Sequence, residues 1–89
     1  MTRFDVLDTA RGLVGGDRAR DYGDVRESFG RTASLWSAHL GTSVSAHDVA
    51  VMMALLKVSR MTASFKGDNY VDGCGYLAIA GELATGSAA

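Results

Sequence analysis

The sequence predicts an all-α fold, a compact arrangement of four helices that we expect to be completed by oligomerisation. Three observations predict it. No proline occurs in the 89 residues, so no helix is broken from within. No segment alternates apolar and polar residues with the clean period of two that a half-buried strand needs. Apolar residues instead recur at helical spacing, in segments that begin at capping residues or end at glycines.

The first helix is expected over 4–14. Phe4, Leu7, Ala10, Leu13 and Val14 share one face, Thr2 and Asp5 make a capping-box pair, and Gly15 and Gly16 end it. Residues 17–24, DRARDYGD, mix charges of both signs and read as an ordered loop, with Asp24 as the cap of the next helix. That second helix spans 25–40. Val25, Phe29, Thr32, Ala33, Trp36 and Leu40 form its apolar stripe, and Gly41 stops it. The third helix is expected from Ser45 to about 64, opened by the capping box of Ser45 and Asp48. Every residue from Val49 to Leu56 is apolar. A helix apolar on all sides is usually central, and in so small a domain a partner chain is expected to cover one side of it. Residues 65–67 form a turn, Asp68 or Asn69 starts the fourth helix, and that helix runs to about Ala84 before a frayed tail. We see no repeat and no second domain, so 1–89 reads as one unit.

Composition narrows the function. Hydrophobic residues make up 47% of the chain, too many for a disordered protein. Nine basic residues against ten acidic ones argue against a nonspecific nucleic-acid binder. No uncharged apolar run is long enough to span a membrane, and the N-terminal residues lack a signal-peptide core, so a cytoplasmic location is expected. Cys74 is the sole cysteine, which excludes an intrachain disulfide. His39 and His47 do not have metal-pair spacing, so a structural zinc site is not expected.

The polar residues of the fourth helix raise the functional question. Asp68, Asp72 and Tyr76 are four apart and fall on one line. Two ionised carboxylates at that spacing repel each other, so they call for solvent, a basic partner or a cation such as magnesium beside a phosphate. The plain alternative is a salt bridge to Lys57 or Arg60, which share a face of the third helix. Those two cations either favour the dipole at the helix C-terminus or contact phosphate, where arginine offers a bidentate fork. Asp24 and Glu27 are a further acidic pair, with capping and an ion pair to Arg31 as alternatives. Arg18, Arg20 and Arg26 could hold an anion near the same loop, where Tyr22 could stack on a base. Gly73, Gly75 and Gly81 suggest that a neighbouring helix lies close.

The order Arg20-Asp21-Tyr22-Gly23-Asp24, Phe29, Leu35-Trp36-Ser37, Asp48-Val49, Met52-Met53, Leu55-Leu56-Lys57, Arg60, Asp68-Asn69, Asp72, Gly75-Tyr76 resembles a small domain of unknown function common in bacteriophage genomes. The resemblance covers about residues 17–82. Through that domain the chain is similar to phage nucleotide-modification-associated proteins and, more remotely, to MazG-like all-α nucleotide pyrophosphatases. The remote resemblance implies a homo-oligomer with magnesium on acidic helical residues. It implies cleavage of a nucleoside triphosphate to a monophosphate and pyrophosphate. By position, Asp68 and Asp72 correspond to the late acidic pair, and Lys57 and Arg60 to the basic pair before it. The implied metal ligands are Asp24, Glu27, Asp68 and Asp72, with Asp72 and Glu27 as catalytic groups. Tyr22, Lys57, Arg60, Asp68 and Arg20 would hold the nucleotide. The chain departs from MazG-like enzymes in lacking their ExxE and ExxD pairs. Three readings follow: a magnesium-dependent pyrophosphohydrolase, a non-catalytic nucleotide binder that sequesters a host-defence signal, and a structural or interaction subunit.

Overall fold

A computed structural model describes residues 1–16, 23–63 and 65–85. Four helices make up the fold: α1 Arg3–Gly15, α2 Val25–Leu40, α3 Ala46–Arg60 and α4 Gly67–Ala84. Among the described residues there is no strand. In space α4 packs against both α3 and α1, and α2 packs against α3.

The helix starts follow from side-chain chemistry. At α1 the Thr2 N–H donates to Asp5 Oδ2 (2.7 Å) and the Asp5 N–H donates to Thr2 Oγ1 (3.2 Å). At α3 the Ser45 N–H donates to Asp48 Oδ2 (2.9 Å) and the Asp48 N–H donates to Ser45 Oγ (3.0 Å). Both are reciprocal capping boxes, each satisfying two otherwise orphaned donors. The hydrogen bonds from Thr2 and from Ser45 hold the Asp5 and Asp48 carboxyls below the ordinary carboxylate range. Asp24 caps α2, its Oδ1 accepting from the Arg26 N–H at 2.8 Å. Gly41 ends α2 in the left-handed region, φ 70°, and its N–H reaches the Ser37 carbonyl. Ser37 then fixes the turn into α3: its Oγ accepts from the Val44 N–H at 2.8 Å and donates to the Val44 carbonyl at 3.2 Å.

Two boundaries differ from the sequence expectation. Helix α3 ends at Arg60, with Met61 as its C-cap, rather than near residue 64. Helix α4 begins at Gly67 with Lys66 in the cap position, and no side chain caps it. Asp68 is therefore not a cap. It lies in the first turn, where a carboxylate favours the positive end of the helix dipole.

The core is made of small side chains. Ala10, Ala33, Val49, Ala50, Ala54, Val71 and Ala80 are its buried apolar members, and no large side chain is fully buried among the described residues. Small residues bring helix axes close together, and the glycines of α4 extend that effect. A Cβ at Gly73 would lie 3.7 Å from both Lys57 Cβ on α3 and Cε of Met61, the α3 C-cap. One at Gly75 would lie 3.2 Å from Val14 Cγ1 on α1. Gly73 thus faces α3 and Gly75 faces α1, which makes α4 the shared neighbour of both. Gly81 has open space where its Cβ would be, so among the described residues no helix makes the close approach expected there.

Helix α3 is not enclosed. Its buried residues are Val49, Ala50 and Ala54, while Met52, Leu55, Leu56 and Val58 are exposed. The all-apolar run therefore buries one side within the chain and leaves the other uncovered. No helix among the described residues is long and apolar enough to cross a membrane.

Candidate functional site

Helices α3 and α4 bring two of the sequence candidates together. Lys57 Nζ lies 3.0 Å from Asp72 Oδ2, with the side chains only 17% and 13% exposed. The spacing that puts Asp72 on the α3-facing side also puts Tyr76, one turn later, beside it. Tyr76 meets Phe29 of α2, ring centroids 6.4 Å apart at a 57° tilt, a normal aromatic pairing geometry.

These four residues line one cleft of about 470 Å³. Met53 and Ile79 add to its apolar wall, and Val14 and Gly75 bring α1 to its edge. The volume falls within the range of roughly 300–1,000 Å³ typical of small-molecule sites. A mostly apolar wall with a few convergent polar groups is also their usual character. Lys57 sits in the last turn of α3, where the helix dipole favours a cation. Its ammonium is held against the Asp72 carboxylate in a charge-assisted pair.

The other sequence candidates lie elsewhere. Asp68 is exposed, a turn before Asp72, and does not line the cleft. Arg60 is exposed in the last turn of α3 and is also outside the cleft lining. Asp24 is engaged as the α2 cap, and Glu27 is exposed in the first turn of α2. Arg26 donates to the Glu82 carbonyl at 3.1 Å and so ties α2 to the end of α4. Arg20 and Tyr22 lie outside the described residues, as do Asp17, Arg18 and Asp21. No group of three or more His, Cys, Asp or Glu side chains that could hold a metal ion exists among the described residues. The four carboxylates Asp24, Glu27, Asp68 and Asp72 therefore do not converge on one point of a single chain.

Sequence reasoning had not named Phe29 and Tyr76 as site residues. The signal for Tyr76 was present, since the i, i+4 spacing from Asp72 places it on the same line. Phe29 carried no such signal, because only the packing of α2 brings it to α4. Asn69, which the sequence offers only as a possible helix start and as part of the resemblance, is a buried polar residue at 4% exposure.

Residues 5–84 match the family described as domain of unknown function DUF6378. The chain belongs to the DUF6378 family. It is 43% identical over 78 residues to the Gene 55 protein of Mycobacterium phage L5, covering 85% of this chain and 50% of that protein. It is 36% identical over 72 residues to the Gene 55 protein of Mycobacterium phage D29, covering 80% of this chain and 48% of that protein. The chain thus spans about half the length of the curated relatives it matches. The likeness to a small phage-encoded domain of unknown function is borne out by these relatives. No solved structure matches.

Proposed function

We propose that this DUF6378 chain binds a nucleotide, or a closely related small phosphorylated ligand, in the cleft between its helices. The observation that carries the reading is the Lys57–Asp72 pair, 3.0 Å apart and mostly shielded from water, in a cleft walled by Phe29 and Tyr76. A nucleotide presents the three groups that such a cleft addresses. Its phosphate matches the Lys57 ammonium, its ribose or base donors match the Asp72 carboxylate, and its flat base matches an aromatic wall. The resemblance to MazG-like proteins points to the same ligand class.

Magnesium-dependent pyrophosphohydrolysis is the more demanding form of this reading. The residues described in one chain do not fit a magnesium site on their own, because Asp72 is the sole acidic side chain among those lining the cleft. Binding without turnover is therefore the form the geometry supports best. A binder of this kind would act by sequestering or tethering its nucleotide.

The test is isothermal titration with a panel of ribo- and deoxyribonucleoside triphosphates and cyclic nucleotides, with and without magnesium, followed by analysis of the cell contents. The expected result is binding without a magnesium requirement and recovery of intact ligand. Lys57→Met keeps the aliphatic stem and removes the charge, and is expected to weaken binding at least about tenfold, the loss of one charge-assisted contact. Pyrophosphate among the products would extend the reading to an enzyme. No heat across the whole panel would refute it.

A second reading, an interaction subunit, is favoured by the exposed apolar side chains of α3 and α4.

A further inference from the structure

We propose that the nucleotide this cleft takes carries a single phosphate, as a nucleoside monophosphate or its cyclic diester, and is not a triphosphate. The proposal rests on the nucleotide reading above and sets the ligand class of that same site.

Charge decides the class. Among the described residues that line the cleft, Lys57 is the sole cation and Asp72 the sole anion. They stand 3.0 Å apart, so this lining carries no net charge. The arginines of α2 and α3 do not add to it. Arg31 and Arg60 are exposed and outside the lining, and Arg26 is engaged with the Glu82 carbonyl at 3.1 Å. A phosphomonoester brings about −1.5 to −2 charges at neutral pH, and a cyclic diester brings fewer. The Lys57 ammonium can meet one such group. A second and third phosphate would enter a cleft walled by Phe29, Met53, Tyr76 and Ile79 with no further lining cation to meet them, and beside a carboxylate that repels them. Charge taken out of water in that way is unfavourable unless it is paired.

The uncharged groups of the lining suit the rest of a nucleoside. The Thr32 hydroxyl donates to the Ser28 carbonyl at 3.3 Å, so what it offers the cleft is an acceptor. Asp72 as a carboxylate is also acceptor-only. Acceptors pair with sugar hydroxyls and exocyclic amino groups and repel phosphate oxygens. The tilted Phe29–Tyr76 pair gives a base its wall. One cation, two acceptor groups and one aromatic wall match one phosphate, the donors of sugar and base, and one ring. At about 470 Å³ the cleft also lies in the lower half of the roughly 300–1,000 Å³ range of small-molecule sites.

The experiment is isothermal titration of the 89-residue chain with the nucleoside and its cyclic mono-, mono-, di- and triphosphate for each common base, with and without magnesium. In any base series that binds, the monophosphate, open or cyclic, is expected to bind about tenfold or more tighter than the nucleoside, the worth of one charge-assisted contact. The di- and triphosphate are expected to bind no tighter than the monophosphate. Lys57→Met, verified as helical by circular dichroism, is expected to bring the monophosphate down to the affinity of the nucleoside. A triphosphate that binds more tightly than its monophosphate, with or without magnesium, overturns the proposal and leaves the nucleotide reading standing. A monophosphate no tighter than its nucleoside overturns it too, as does a helical Lys57→Met that keeps the preference for phosphate. Silence across every series overturns the proposal and the nucleotide reading together.

Discussion

Replacing Gly75 by alanine tests how α1 is held against α4, and with it the edge of the cleft. Alanine in a helix interior is favoured over glycine by about 1 kcal/mol, so stabilisation is the default expectation. At Gly75 the new Cβ would meet Val14 Cγ1 at 3.2 Å, where carbon atoms normally rest at about 3.5–4.0 Å. Val14 is β-branched and within α1, so its rotamer is nearly fixed. The few tenths of an ångström must come from movement of α1 itself. Overpacking of this kind costs about 1–3 kcal/mol, which leaves Gly75→Ala between neutral and about 2 kcal/mol destabilised. Gly73→Ala is the internal control. It has the same propensity gain, but its Cβ meets Lys57 Cβ and Met61 Cε at an ordinary 3.7 Å, so it should stabilise by about 1 kcal/mol. Urea denaturation of both variants at one protein concentration gives the comparison. In thermal melts each kcal/mol should appear as about 4–8 °C for a domain of this size. Equal stabilisation by the two alanines would refute the reasoning, for it would mean that α1 does not press on Gly75.

Three further outcomes are expected. Ser37→Ala removes both bonds to Val44 in the α2–α3 turn and should cost about 1–3 kcal/mol in chemical denaturation, because a part-buried donor and acceptor lose their partner. Ser45→Ala should cost about 1 kcal/mol through loss of the α3 cap, whereas Ser34→Ala, at an exposed mid-helix position, should change stability by less than about 0.5 kcal/mol. The Asp5 and Asp48 carboxyls titrate below the usual range in the folded chain. Their contribution is therefore complete above the ordinary carboxylate pKa of about 3.9 and is lost as pH falls through their lower folded values. An acid titration of stability should be flatter in that window for Asp48→Asn than for the wild type.

The number of helices and most of their ends were legible in the sequence. Thr2 with Asp5, Asp24, and Ser45 with Asp48 act on neighbouring backbone groups, so their effect depends on residues two or three positions away. Gly41 ends α2 for an equally local reason. The start of α4 was misplaced because Lys66 has no capping bond and leaves no local signal. The candidate site was legible in part. Lys57 and Asp72 were singled out by sequence and do meet, but nothing local separated that pairing from one with Arg60, or Asp72 from Asp68.

By itself, then, the sequence determined what short-range chemistry determines: four helices, the caps of the first three, and the line that joins Asp72 to Tyr76; it did not determine the inward faces, since Phe4 and Leu7 of the expected α1 face and Leu40 of the α2 stripe are exposed. Only the tertiary structure decided which faces meet. It brought Phe29 from α2 against Tyr76, and it left Asp68, Arg60 and Glu27 outside the cleft. It also set Gly75 against Val14 while leaving Gly81 open. Those outcomes depend on helix separations set jointly by residues distant in the chain, by the alanines and glycines of α4 and its two neighbours. Periodicity along one helix carries no information about the distance to the next.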